Sequence, residues 1–91
     1  MLERNKSNTT NRVTVEIFNQ EYIVKGNENA EYIQMLAAYV DRRMRMIDQR
    51  NHSLSIGKVA VLTALNLADE LNKLQEDYDE LVKVLEEEKR K

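Results

Sequence analysis

The apolar positions change their period twice along the chain. In Arg12-Val13-Thr14-Val15-Glu16-Ile17-Phe18, Val13, Val15 and Ile17 alternate with Thr14 and Glu16, the two-residue period of a half-buried strand. Asn19-Gln20 makes a turn-sized gap. Glu21-Tyr22-Ile23-Val24-Lys25 is a second β-rich run, ended by Gly26-Asn27. The two runs predict a hairpin, which is marginal alone and needs something to pack on. Residues 1–11, MLERNKSNTTN, offer little apolar area beyond Met1 and Leu2 and read as a disordered tail.

After Gly26 the period becomes helical. Asn27 or Asn29 can cap a helix over residues 28–49, with Glu28 and Glu31 in the first turn, where the helix dipole favours acidic groups. Ile33, Leu36, Ala37, Val40, Met44 and Ile47 form one apolar stripe, suited to cover the hairpin and the start of the next helix. Tyr32, Met35, Tyr39 and Met46 form a second, about 120° round the cylinder at roughly 100° per residue. One apolar face is enough for a helix in a monomer; the second predicts contact with a partner chain.

Arg50 to Gly57 is polar and broken and reads as a loop, with Ser55 available as a cap. From Lys58 no Gly or Pro interrupts the chain up to Lys91. A helix of roughly 30 residues is about 45 Å long, more than a compact body with a radius of gyration near 12 Å can cover. Leu67, Leu71, Leu74, Tyr78, Leu81 and Leu85 are spaced by 4, 3, 4, 3 and 4, the seam of a coiled coil over residues 67–88. Ala64 and Ala60 continue the seam backwards, where small residues allow close helix approach. Val82 and Val84 flank it, and their burial would place more than two helices around the seam. The expected fold is α+β and mostly helical. A hairpin-plus-helix head spans 12–57, and a long helix spans 58–91 with its first part packed in the head.

Composition narrows the function. Apolar residues make up 42% and charged residues 33%, a balance suited neither to a disordered nor to a membrane-embedded chain. The net charge of -2 combines +1 over residues 1–25 with -3 over 58–91, where nine acidic side chains face six basic ones. Residues 26–57 balance, so a general nucleic-acid role through Arg42, Arg43 and Arg45 lacks the usual basic excess. There is no cysteine, so thiol catalysis, disulfides and thiolate metal sites are excluded. The longest apolar run, Val59-Ala60-Val61-Leu62, is far shorter than the roughly 20 residues of a membrane span. The N-terminus shows no apolar stretch of a secretory signal, and the cytosol is the expected compartment.

Catalysis requires convergent polar groups in a tuned environment. The single histidine, His52, sits in the polar loop without a Gly-rich phosphate loop or an acidic orienting group. The carboxylates of Glu76-Asp77-Asp79-Glu80 and Glu86-Glu87-Glu88 read as the solvated side of the seam. Neither zinc nor calcium spacing is present, and no cofactor is expected. The feature least accounted for by packing is Asp41-Arg42-Arg43-Met44-Arg45-Met46. Arg42 and Arg45 lie off both apolar stripes, either as a basic contact patch with Arg50 and Lys58 beside the interhelix loop, or as ordinary charged surface.

The run Val59-Ala60-Val61-Leu62-Thr63-Ala64-Leu65-Asn66-Leu67-Ala68-Asp69-Glu70-Leu71 resembles the signature stretch of the ZapA family of bacterial cell-division proteins. The resemblance extends upstream through Val15-Glu16-Ile17-Phe18, Tyr22-Ile23-Val24-Lys25-Gly26, Glu31-Tyr32-Ile33 and Tyr39-Val40-Asp41-Arg42-Arg43-Met44, covering about residues 12–88. It implies a two-strand head and a long C-terminal helix, dimerising through both, with dimers able to pair into antiparallel tetramers. It implies no catalytic activity and no cofactor. The expected partner is the tubulin-like GTPase FtsZ, whose filaments such proteins cross-link at the midcell division ring in the cytoplasm. Filament contact in the family is placed around the hairpin turn and the interhelix loop, which here offer Gln20, Arg42, Arg45, Arg50 and Lys58. Tyr32, Met35, Tyr39, Met46 and the Leu67–Leu85 seam are the expected oligomer interface. This chain departs from the family in having Asn19 where glycine commonly follows the aromatic residue, and His52 and Gly57 in the loop. The competing expectations are a generic coiled-coil adaptor, a basic-patch nucleic-acid binder and a holdase with tentacle helices.

Overall fold

The computed structural model describes residues 11–90, so the expected tail lies outside the described residues except for Asn11. Two antiparallel strands, β1 (Asn11–Ile17) and β2 (Gln20–Gly26), are followed by two helices, α1 (Ala30–Arg50) and α2 (Ile56–Lys89). Asn11 is part of β1, paired with Gly26, and the register runs to Ile17 opposite Gln20. The turn is therefore Phe18-Asn19, one residue earlier than the spacing predicts, and Gln20 belongs to β2. Phe18 (φ 54°) and Asn19 (φ 66°) both adopt left-handed backbone, as two-residue hairpin turns that follow the twist of their strands require. That conformation costs about 1–2 kcal/mol for a residue such as Phe18, whereas asparagine adopts it more readily.

The strand alternation is realised. Val13 and Val15 are buried, Ile17 and Val24 are partly buried against them, and Arg12, Thr14 and Glu16 face out. Helix α1 covers this face with Ile33, which is 2% exposed, and Ala37. Three side-chain bonds fasten the hairpin along α1. Asn11 Nδ2 donates to the Glu28 carbonyl at 2.6 Å, Gln34 Nε2 donates to the Thr14 carbonyl at 2.9 Å, and the Phe18 N–H donates to Asp41 Oδ1 at 2.7 Å. The spacing of the ties matches the two rises. Thr14 and Phe18 are four residues apart, about 13 Å of strand, and Gln34 and Asp41 are seven residues apart, about 10 Å of helix.

Asn29 caps α1, its side chain accepting the Glu31 N–H at 2.7 Å. Asn51 ends the helix and also accepts bonds from the Ser53 N–H and hydroxyl, shaping a tight loop. Ser55 caps α2 by accepting the Lys58 N–H at 3.3 Å. Gly57, expected in the loop, therefore lies in the first turn of α2, and the helix begins at Ile56 rather than Lys58. Val59, fully buried, and the buried Thr63 form the face of α2 turned into the head, with Leu67 half-buried below them. Beyond Glu70 the 34-residue helix leaves the head. The radius of gyration is 17.7 Å, against about 12 Å for a compact chain of this length.

Candidate partner-binding surface and oligomer interface

The residues expected to contact a partner fall into two places. The first is the hairpin turn. Asp41 uses both carboxylate oxygens: Oδ1 accepts the Phe18 N–H, and Oδ2 accepts Arg45 Nε at 2.9 Å. Arg45 Nη2 also donates to Asn19 Oδ1 at 3.0 Å, and the guanidinium sits 5.9 Å from the centre of the Phe18 ring, within cation–π range. Arg45 thus reaches back to the hairpin turn rather than towards the interhelix loop. The bond from Arg45, followed by that from the Phe18 N–H, holds the Asp41 carboxyl below its ordinary 3.8. Gln20 starts β2 exposed at the edge of this cluster, accepting a long bond of 3.4 Å from the Tyr22 hydroxyl. Arg42 is exposed on the adjacent side of α1.

The second place is the interhelix loop. Arg50 ends α1 and borders a shallow depression with Ile47, Leu54 and Leu62. Lys58 stands in the first turn of α2 beside an apolar notch formed by Leu54, Val61 and Leu62. Among the described residues no carboxylate lies within ion-pair distance of Arg42, Arg50 or Lys58, whereas Arg45 is paired with Asp41. His52 is 77% exposed and lies 3.7 Å from Asp48. Among the described residues no group of three or more His, Asp or Glu side chains is placed to hold a metal ion.

A separate apolar surface lacks intrachain cover. Tyr32, Met35, Tyr39 and Met46 are exposed along α1, and Leu71, Leu74, Tyr78, Leu81 and Leu85 are exposed along α2. Among the described residues, six buried apolar residues form the interior, against sixteen large ones left on the surface. Exposed apolar area on that scale marks an interaction surface. Leu67 departs from the rest of the seam: it closes an apolar recess of about 280 Å³ with Val15, Ile17, Val24, Ile33 and Tyr39. Ala60 and Ala64 are exposed beside the face that α2 turns to α1.

Arg43, which the sequence brings in only as a candidate phosphate contact with Arg42 and Arg45, joins the helices: Nη1 donates to Asn66 Oδ1 at 3.0 Å, and Nη2 donates to Glu70 Oε1 at 2.7 Å and to the Tyr39 hydroxyl at 3.0 Å. The Tyr39 hydroxyl in turn donates to Glu70 at 3.1 Å, and Arg43 forms an ion pair with Glu70. The clasp fixes the first four turns of α2 on α1 just before the helix becomes exposed. The signal was present in the i, i+4 spacing of Tyr39 and Arg43, but its partners on α2 lie 23 and 27 residues away.

Comparison with known proteins agrees with this architecture. The family model described as Cell division protein ZapA matches residues 13–91. A protein of that name from Geobacillus sp. (strain WCH70) is 45% identical over 78 residues, covering 86% of this chain and 90% of the relative. Another from Bacillus thuringiensis (strain Al Hakam) is 43% identical over 70 residues, covering 77% and 79%. Among solved structures, a ZapA mutant dimer from Geobacillus stearothermophilus superimposes with a TM-score of 0.68 at 35% identity, covering 91% of this chain and 96% of that one. An unknown conserved bacterial protein from Pseudomonas aeruginosa PAO1 gives a TM-score of 0.70 at 29% identity, covering 88% and 89%. With the hairpin, the two helices and the matched length all in agreement, this chain belongs to the ZapA family of cell-division proteins.

Proposed function

We propose that this protein is a non-enzymatic cross-linker of FtsZ filaments, acting in the cytoplasm at the midcell division ring. Membership of the ZapA family carries this reading, and the division of the chain into a small head and a projecting apolar-seamed helix supports it. Two chains pair through the α2 seam and the second stripe of α1, in keeping with the dimer formed by the related chain from Geobacillus stearothermophilus. Each pair then carries two heads. The head surface serving the filament includes Gln20, Arg42, Arg45, Arg50 and Lys58. Once one head is bound, the other samples a neighbouring filament at an effective concentration set by the helical spacer. Weak single contacts then sum to a stable cross-link without chemistry.

Co-sedimentation with polymerised FtsZ, together with light scattering, tests this reading. The unmodified chain is expected to pellet with filaments and to raise scattering. Arg42→Glu combined with Arg45→Glu is expected to abolish both effects while leaving oligomer mass and helicity unchanged. Added salt should weaken binding, since exposed charge contacts are screened over about 10 Å at 0.1 M. Failure of the unmodified chain to pellet overturns the assignment.

A further inference from the structure

The Phe18-Asn19 turn has the backbone of a glycine-bearing turn without a glycine. An asparagine tolerates left-handed backbone; a phenylalanine rarely adopts it. The strand register imposes that conformation, with Ile17 paired to Gln20 across the turn. Further support comes from α1, 23 and 26 residues away, where Asp41 accepts the Phe18 N–H and Arg45 bonds Asn19 Oδ1 and Asp41 while lying over the Phe18 ring. One side-chain pair therefore touches both left-handed residues. Left-handed backbone in non-glycine residues that the surroundings hold in place is characteristic of sites where the chain must present a fixed shape.

The charge around Arg45 points the same way. Its guanidinium is bonded to Asp41, and the carboxylates of Glu16 and Asp48 also act on it. A cation among three carboxylates projects little positive potential towards a partner. Arg42, one helical position from Asp41, has no such pairing among the described residues.

We propose that Asp41 and Arg45 are positioning residues. They lock the Phe18-Asn19 turn in its left-handed form so that the turn and Gln20 meet the partner as a preformed edge, with Arg42 as the neighbouring charge contact. This inference rests on the reading that the head binds FtsZ filaments. Arg45 then contributes through the turn and not by touching the filament. Preforming the edge spares the complex the ordering of a mobile loop on binding, which is where such a lock adds affinity.

The test compares full-length variants in FtsZ co-sedimentation and in amide hydrogen exchange at Phe18. Asp41→Ala is expected to weaken binding about tenfold, in line with loss of a charge-assisted bond, and to speed Phe18 exchange, with oligomer mass unchanged. Asn19→Gly added to Asp41→Ala should restore most of the binding, because glycine at the second position favours the two-residue turn without the lock. Should Asp41→Ala lose helicity, Arg45→Gln carries the same comparison with the Phe18 N–H bond to Asp41 retained. If binding persists in Asp41→Ala while Phe18 exchange accelerates, the lock is irrelevant and the proposal falls, with the FtsZ assignment intact. If Asn19→Gly slows exchange again without restoring binding, the pair contacts the filament directly and the positioning role is overturned. If the unmodified chain fails to pellet, both readings fall together.

Discussion

Replacing Leu74 by alanine separates the stability of the head from that of the assembly. In the single chain Leu74 is 68% exposed on α2, four residues past Glu70. Fully burying a leucine side chain is worth about 1.5–3 kcal/mol, so closing the exposed two-thirds on association is worth about 1–2 kcal/mol per copy. The cavity left by truncation raises the loss to about 2 kcal/mol or more. A symmetric pair loses it twice, about 4 kcal/mol, which corresponds to roughly a thousandfold weaker dissociation constant. Sedimentation equilibrium over a range of concentrations measures this directly. Val59→Ala is the control: Val59 is wholly buried inside the head, so its truncation should lower the melting temperature with a much smaller effect on the dissociation constant. A dissociation constant for Leu74→Ala within threefold of the unmodified chain would refute the assignment of the seam as the interface.

Three further outcomes follow from local geometry. Because the Asp41 carboxyl is held below 3.8, its contribution to stability is complete above that value and is lost as pH falls through the lowered one. The Phe18 amide proton should therefore report a titration by NMR with its midpoint below 3.8, and a midpoint at or above it contradicts the bond. Gly57 lies inside α2 without positive φ, and a methyl group there meets nothing nearer than the Ser55 hydroxyl at 4.0 Å. Gly57→Ala should stabilise by about 0.5 kcal/mol, read as a rise of a few degrees in melting temperature. Thr63 is buried and its hydroxyl has no hydrogen-bond partner among the described residues, so Thr63→Val should raise stability by about 1 kcal/mol in denaturant titration; a loss of that size would reveal a bonded hydroxyl.

The parts of the fold governed by local repetition were legible in the sequence. The stripe from Ile33 to Ile47 lies against the hairpin and α2 because a 3.6-residue period leaves one choice of face. Alternation likewise identified β1, and a run of β-favouring residues identified β2. The turn was displaced by one residue because turn prediction relies on glycine or asparagine, and Phe18 carries neither signal. The carboxylate that accepts its N–H lies 23 residues away, invisible to any local pattern. Gly57 was read as a breaker, but a serine cap two residues earlier outweighs one glycine in a first turn. Within the surface, the exposed cations were found by their absence from the apolar stripes. That criterion does not distinguish Arg45, committed to Asp41 and Asn19, from Arg42 beside it. Leu67 fits the heptad spacing as well as Leu71 does, and only the recess beside Tyr39 shows that it serves the head.

The Arg43–Glu70 clasp makes the molecule a ruler with a fixed zero mark. From Glu70 onward, each residue added to α2 would extend the arm by about 1.5 Å and swing the head by about 100° around the shaft. A whole inserted heptad lengthens the arm by about 10.5 Å but leaves the heading only about 20° off. On the proposed cross-linking role, changes of arm length in steps of seven would alter the gap between bridged filaments with little effect on aim. A single-residue insertion would keep the gap nearly constant and point the head elsewhere. Arm lengths compatible with that role should accordingly come in a series, with the clasp keeping the series in phase.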